Sequence, residues 1–353
     1  MQTHVDPLQL VLDSYVASGE LPGANATIFV DGRASWSGTS GWKDAKRLES
    51  LPASSTSPAY SVTKTFAAAC ALRMDEEGEV DLDAPLSAWL PELHFAERVS
   101  LAQVLAHTGG IHDYGAMRDY HDAVAESPST PWDFDEYVAR TCERPLDFEP
   151  GEGWAYSNSG YTLVKRILEL TIRGSFGEAL SRYVLRPLDL SETFELAELA
   201  DMDRVAPGHS TLFSSEGTLQ DVRPVYHPGW CGTGVLASTG SDLCNFFDAL
   251  FAGRLLSRAS LERMLTLRRV PGKHPPSVSP CYGLGIMADP DAPHGPSFAH
   301  GGAGPGWDLY AGCVPNLNGR RVSVSVLCNQ DGHCAQNIAS EILDVIHTQK
   351  IGT

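Results

Sequence analysis

Ser61 and Lys64 stand three positions apart in the stretch PAYSVTKTFAAACALRM, just ahead of the uncharged run from Phe66 to Leu72. On a helix, residues i and i+3 share a face one turn apart, so the lysine amine can reach the serine hydroxyl. An ammonium among apolar neighbours is costly unless polar partners hold it or it gives up its proton. An amine in that setting can take or polarise a hydroxyl proton and make a serine nucleophilic. A serine at a helix start also gains from the positive end of the macrodipole, which favours developing negative charge. The ordinary alternative is a capping serine beside a lysine that snorkels to solvent. S-x-x-K alone does not separate the two.

Two further stretches carry residues of the right kind. FEPGEGWAYSNSGYTLV holds Tyr156, Ser157 and Asn158 between a Pro-Gly turn and a helix, and SFAHGGAGPGWDLY holds His300, Gly301 and Gly302 on a strand-like segment. Taken singly, Tyr156 reads as a turn tyrosine and His300 as a surface histidine. Their order and their separations from Ser61, 95 residues to Tyr156 and a further 144 to His300, change that reading. Together they resemble the serine β-lactamase-like and penicillin-binding-protein superfamily, in the branch of class C β-lactamases, DD-peptidases, D-aminopeptidases and related esterases. That pattern is S-x-x-K, then Y-x-N, then K-T-G or H-x-G on a late strand. The stretches LAHTGGI, RPLDLSET and GTGVLASTGSDL agree, so the resemblance covers nearly the whole chain.

The resemblance implies roles. Ser61 is the nucleophile that becomes acylated. Lys64 and Tyr156 form the base system, with the holder of the proton left open between them. Asn158 binds the substrate amide and Lys64, and His300 lines the opposite wall. The backbone N–H groups of Ser61 and Ala303 form the oxyanion hole, where one donor is typically worth about 10²–10³ in rate. Gly301 and Gly302 leave room for a substrate to lie along the strand. Asp113 and Tyr114 either reach the cleft or sit in a solvated loop. A rival serine, Ser210 in GHSTL, begins like a nucleophile elbow, but Leu212 stands where the final glycine belongs.

The third motif departs from the β-lactamase pattern, which has lysine where this chain has His300. A histidine of ordinary pKa is mostly neutral at pH 7 and attracts a carboxylate weakly. The expected activity is therefore a serine hydrolase acting through an acyl-enzyme on small amides or esters, such as D-amino-acid amides. A β-lactamase or DD-carboxypeptidase is the alternative, and a non-catalytic binding module the second. No cofactor is expected. No HExxH or Cys/His cluster suggests zinc, and no metal site is expected.

The elements that must hold these residues follow from the pattern. VDPLQLVLDSYVASG has helical spacing, and GANATIFVDG and ASWSGTSGW read as a strand pair turning at Asp31-Gly32. In SLAQVLAHTGG, Ser100 and Gln103 stand in capping-box spacing. The middle is mostly helical. CYGLGIMA, SFAHGG, WDLYAGCV and RRVSVSVLCN are strand-like, and a last helix runs from about Cys334 to His347. The order predicts an α/β (α+β) fold. An antiparallel sheet pairs opening and closing strands between N- and C-terminal helices, and a mostly helical second lobe stands beside it. We expect one catalytic domain over residues 1–353, with a sheet lobe near 1–60 and 275–353 and a helical lobe near 61–274.

The 353 residues carry a net charge of −18, which repels nucleic acid and anionic membranes. The N-terminal stretch lacks a basic region and a long apolar core, so no signal peptide is expected. No window approaches the ~20 apolar residues of a membrane span. The eight cysteines form no CxxC pair and most lie in apolar stretches, as free thiols of a reducing cytoplasm do.

Overall fold

The computed structural model describes residues 6–349 apart from positions 20, 45, 47 and 333. Helix α1 (Pro7–Ala17) begins at Asp6, whose carboxylate accepts the Leu8 N–H at 2.9 Å, with proline in the first turn. Strands β1 (Gly23–Val30) and β2 (Arg33–Gly41) form the expected hairpin. Its turn residues Asp31 and Gly32 both have positive φ, 48° and 78°, as a two-residue turn matched to strand twist requires.

Six later strands complete the sheet. They are β3 (Arg268–Arg269), β4 (Cys281–Tyr282), β5 (Met287–Asp289), β6 (Ser297–Gly304), β7 (Trp307–Leu317) and β8 (Arg320–Cys328). All pairings are antiparallel, in the order β2-β1-β8-β7-β6-β5-β4-β3. The last strand closes against the first, from Ala24 opposite Cys328 to Val30 opposite Val322.

Alternation along these strands sorts the two faces. Ala24, Ala26, Ile28, Val322, Val324 and Val326 face α1 and the closing helix, and pack with Leu8, Leu12, Ile338 and Ile342. The other face carries Thr27, Ser323 and Ser325. These small side chains let a helix approach closely: Cys244 Sγ lies 3.4 Å from Ser325 Oγ, and Ser325 Oγ donates to Gly240 O at 2.9 Å. That helix spans Gly240–Phe251 and so belongs to the segment expected in the helical lobe, yet it packs on the sheet. It can do both because Phe246 and Phe247 leave its far side for the second core.

In that second core, helix α2 (Thr63–Glu76) has Phe66 to Leu72 wholly buried, and Phe66 stacks on Phe246 with ring centroids 3.7 Å apart. Burial of a large apolar side chain contributes about 1.5–3 kcal/mol, so this run anchors α2 firmly. Helix α3 (Asn158–Ile172) packs beside it with Leu163, Val164, Ile167 and Leu168 inward. Among the described residues, no helix is long and apolar enough to cross a membrane.

Candidate active site

Ser61 sits on a single 3₁₀ turn, Tyr60–Val62, that runs straight into α2. The residue before it, Tyr60, has φ 41°, a left-handed conformation that costs a non-glycine residue on the order of 1–3 kcal/mol. The surroundings hold it there. The Tyr60 hydroxyl donates to Pro305 O at 2.6 Å, and the Ala59 N–H donates to Leu236 O at 2.6 Å. Thr63 Oγ1 accepts the Leu236 N–H at 3.0 Å. The kink lifts Ser61 out of the buried helix, so it remains partly exposed while Val62 to Leu72 do not.

Lys64 lies one turn further in and is only 2% exposed. Its Nζ donates to Ser61 Oγ at 3.0 Å and to Asn158 Oδ1 at 2.8 Å, and it lies 5.0 Å from the centre of the Tyr156 ring. Asn158 opens α3, capped by Ser157, whose Oγ accepts the Gly160 N–H at 3.0 Å. Asp113 fixes its orientation: Oδ1 accepts the Asn158 backbone N–H at 2.8 Å and Oδ2 accepts its Nδ2 at 3.4 Å. The Asn158 amide therefore turns its oxygen to the ammonium and its nitrogen to the carboxylate. Asp113 thus meets the cleft by steering Asn158, and Tyr114 lines the cleft directly.

Tyr156 packs with its ring 4.3 Å from His107 and 6.3 Å from both Tyr282 and His300, centre to centre. Its hydroxyl has no hydrogen-bond partner among the described residues. His107 is a supporting residue that sequence reasoning missed. It has φ 58°, its carbonyl accepts the Ala155 N–H at 3.1 Å, and its Nδ1 accepts the Ser157 N–H at 3.1 Å. It therefore grips the backbone on both sides of Tyr156. Accepting on Nδ1 puts the proton on Nε2, which is buried without a partner among the described residues. Burial, then the Lys64 charge, lowers its pKa well below the ordinary value and keeps it neutral. The only hint in the sequence was a histidine ahead of Thr-Gly-Gly at a helix end.

His300 lies on β6 and is fully buried. The expectation that it lines the wall of the cleft needs correcting, because its ring sits beneath that wall. Its Nδ1 donates to Gly301 O at 2.6 Å, which leaves Nε2 to accept the Tyr282 hydroxyl at 3.0 Å. Burial, reinforced by the Lys64 charge, lowers its pKa to about 3. The physical reason is strand alternation: position 300 faces inward, whereas Ala303 is exposed and lines the Ser61 cleft. Gly301 is half-buried along the strand. At Gly302 an added Cβ would lie 2.4 Å from Ala59 O and 3.3 Å from Ser61 N, so strand and nucleophile turn meet backbone to backbone.

Ser61, Lys64 and Asn158 line a cavity of about 490 Å³ that also takes in Tyr114, Ala303 and Asp331. Among its described lining residues Lys64 is the one lysine or arginine. Tyr156 faces a second cavity of about 460 Å³, with Trp154, Tyr282, Met287 and Ala299. The rival Ser210 is buried in a two-residue strand, His209–Ser210, and its Oγ accepts the Leu212 N–H at 3.0 Å. That is no strand-to-helix elbow.

A family model described as Beta-lactamase matches residues 8–345, and the chain belongs to that family. Among curated relatives, penicillin-binding protein 4* of Bacillus subtilis (strain 168) is 25% identical over 304 residues, covering 82% of this chain and 64% of its own. Esterase EstB of Burkholderia gladioli is 27% identical over 198 residues, covering 52% and 50%. The chain thus spans between half and just under two thirds of these relatives. Among solved structures, a D-stereospecific amidohydrolase from Streptomyces sp. superposes with a TM-score of 0.80 at 27% identity, covering 98% of both chains.

Proposed function

We propose that the protein is a serine hydrolase that cleaves small amides or esters through an acyl-enzyme, with D-aminoacyl amides the preferred class. The reading is carried by the Lys64 ammonium, buried and donating at once to Ser61 Oγ at 3.0 Å and Asn158 Oδ1 at 2.8 Å on the floor of a cavity. A structural lysine has no need of a half-exposed serine as its partner. In this mechanism the reactive form of the Lys64–Tyr156 pair has given up one proton, as a neutral amine or a phenolate, and that vacant position takes the Ser61 proton as Oγ attacks the carbonyl. The pair returns the proton to the leaving amine or alcohol. Water then attacks the Ser61 ester and releases the acid.

The N–H groups of Ser61 and Ala303 receive the oxyanion, and Asn158 receives the acyl-side amide. The second cavity beyond Tyr156 gives an aromatic, apolar surface for one half of the substrate. Two features favour neutral or cationic acyl donors over carboxylate-bearing β-lactams. Lys64 is already held by two oxygens, and no other lysine or arginine lines the cavity among the described residues. Asp331 adds negative charge there. The amidohydrolase similarity points the same way.

The test is a panel of D- and L-aminoacyl p-nitroanilides, p-nitrophenyl esters and nitrocefin, with intact-mass detection of the acyl-enzyme. Aminoacyl or simple acyl substrates are expected to turn over with a transient adduct on Ser61. Nitrocefin hydrolysis near the ~10⁸ M⁻¹s⁻¹ diffusional ceiling, with amides and esters untouched, would replace this reading by the β-lactamase one. No turnover and no adduct would leave a binding module.

A further inference from the structure

The cavity beyond Tyr156 has walls and a charge that the attack of a serine leaves unexplained. Tyr156 and Tyr282 stand with ring centres 6.3 Å apart and planes at 88°, and Trp154 lies 5.8 Å from Tyr282 with its plane tilted by 54°. Strand alternation supplies the other side. Met287 and Asp289 share one face of β5, opposite Ala299 and Ser297 of β6. Tyr310 of β7 stands opposite Gly301 on that same face.

Asp289 is the one carboxylate among the described lining residues, and no lysine or arginine lines the cavity with it. It is 6% exposed. Its Oδ2 accepts the Val278 N–H at 2.7 Å, and its Oδ1 accepts the Ser279 and Asp291 N–H groups at 3.0 and 3.2 Å. These three backbone donors fix the carboxylate in place and bring no countercharge. A carboxylate has room for about four such bonds. The Tyr310 hydroxyl is pushed up, first by burial and then by the Asp289 charge, so the field of the carboxylate reaches the ring beside it.

A plain apolar pocket has no use for a buried carboxylate, and a pocket for anions needs the lysine or arginine that is missing. Aromatic faces attract a positive charge through their quadrupole, most strongly where water is excluded. A quaternary ammonium suits such walls, because its methyl groups give apolar contact and spread the charge. Lys64 lines the Ser61 cavity and not this one, so the Tyr156 ring stands between Lys64 and a cation bound here.

The position of the cavity decides which half of the substrate enters it. This inference rests on the hydrolase reading above, in which the Lys64–Tyr156 pair returns a proton to the departing oxygen or nitrogen. That atom must meet Tyr156, and the group behind it extends into the cavity that Tyr156 lines. We propose that this cavity is a leaving-group subsite for organic cations, and that the substrates are esters or amides whose departing part carries an alkylated ammonium. Ser61 Oγ bonds to the carbonyl carbon, the C–O or C–N bond breaks, and the departing atom takes the proton while the ammonium passes through unchanged.

The test is a pair of acetate esters, of choline and of 3,3-dimethylbutanol, which share a shape and differ by one positive charge. At about 0.15 M salt, charges more than about 8 Å away are largely screened. The wild type is expected to show a kcat/KM at least about tenfold higher for the choline ester. Met287 is 37% exposed, so Met287→Lys folds and sets a cation at the rim, and it should bring the ratio to about one or below. Trp154→Leu removes a wall without changing the charge and should lower the ratio about threefold. Equal kcat/KM for the two esters in the wild type overturns the proposal and leaves the hydrolase reading standing. So does a preference that survives both substitutions, which would belong to the net charge of the chain. If neither ester is cleaved, the substrate panel above judges the hydrolase reading, and calorimetry with tetramethylammonium judges the subsite. Binding that Met287→Lys loses supports it, and binding that is absent, or undiminished in that variant, overturns it.

Discussion

Lys64 and His300 bring nitrogen into one interior from opposite sides of the cleft, and the two sides treat it differently. On the helix side a full charge is buried, and oxygens from Ser61 and Asn158 meet it. On the strand side the imidazole is buried deeper still, but Tyr282 and the Gly301 carbonyl saturate it as a neutral ring. Removing a charge from water costs several kcal/mol unless hydrogen bonds replace the lost hydration, so the cation sits where side-chain acceptors converge. The same charge helps drive the protons off His300 and His107. Of these three basic side chains Lys64 is the one that carries the positive charge, and it touches the serine. The asymmetry defines which wall does chemistry and which wall supports it.

The comparison breaks most completely at Ser61. Ser61→Ala is expected to abolish turnover and covalent labelling by a fluorophosphonate, while leaving folding intact, since the side chain is partly exposed. Labelling that persists in the variant would move the nucleophile elsewhere and remove the reason for Lys64 to be where it is.

Placing a second cation on the support side is the next largest change. His300→Lys puts an ammonium beside a ring site whose described partners are the Tyr282 hydroxyl and the Gly301 carbonyl, and where Lys64 already contributes positive charge. Like charges about 4 Å apart at an effective dielectric near 20 repel by on the order of 4 kcal/mol before relaxation. The variant is expected to lose several kcal/mol of stability in urea unfolding and not to gain affinity for carboxylate substrates. His300→Gln, which keeps an acceptor for the Tyr282 hydroxyl, should lose far less. Equal stability of the two variants would show that the strand side tolerates charge after all.

On the helix side, Lys64→Met and Tyr156→Phe are each expected to lower kcat by at least ~10²-fold, the lower range for general acid–base catalysis. Combined, they should cost little more than the worse of the two, because both serve one proton transfer. Additive losses in the double variant would separate Tyr156 from Lys64 and assign it to the second cavity it lines.

Much of this geometry was legible before any coordinates. The i, i+3 spacing of Ser61 and Lys64 set a contact of 3.0 Å, the Asp31-Gly32 pair set the hairpin turn, and Ser100 with Gln103 formed the capping box. These are local signals, carried by residues close in sequence. What stayed hidden depends on partners far along the chain. The left-handed turn at Tyr60 is held by Pro305, and the burial of His300 depends on Tyr282. The grip of His107 on the Tyr156 segment joins residues 50 positions apart. Helix Gly240–Phe251 looked like its helical neighbours because periodicity reports that a face is apolar, not which layer will cover it. His300 was misjudged for a related reason. A Gly-rich strand end suggests an open cleft, but alternation along β6 decides which single side chain reaches it.

The smallest effect sharpens the comparison without touching catalysis. His300 has an ordinary pKa of 6.5 in the unfolded chain and about 3 in the folded one. Between those values the unfolded chain binds the proton and the native chain does not. Stability from this group is therefore complete above pH 6.5 and is lost as pH falls toward 3, with a slope of at most about 1.4 kcal/mol per pH unit. His107 is shifted in the same direction and adds to the loss. Carboxylates held below their ordinary range, such as Asp31, act only at the acidic end of this window. Urea unfolding of wild type and His300→Gln from pH 7 to pH 4.5 isolates the histidine. The variant should start less stable and decline less steeply, the two curves converging by about 1.4 kcal/mol for each pH unit below 6.5. Parallel curves would mean that His300 titrates alike in both states, and the neutral, Tyr282-bonded imidazole of the support side would have to be given up.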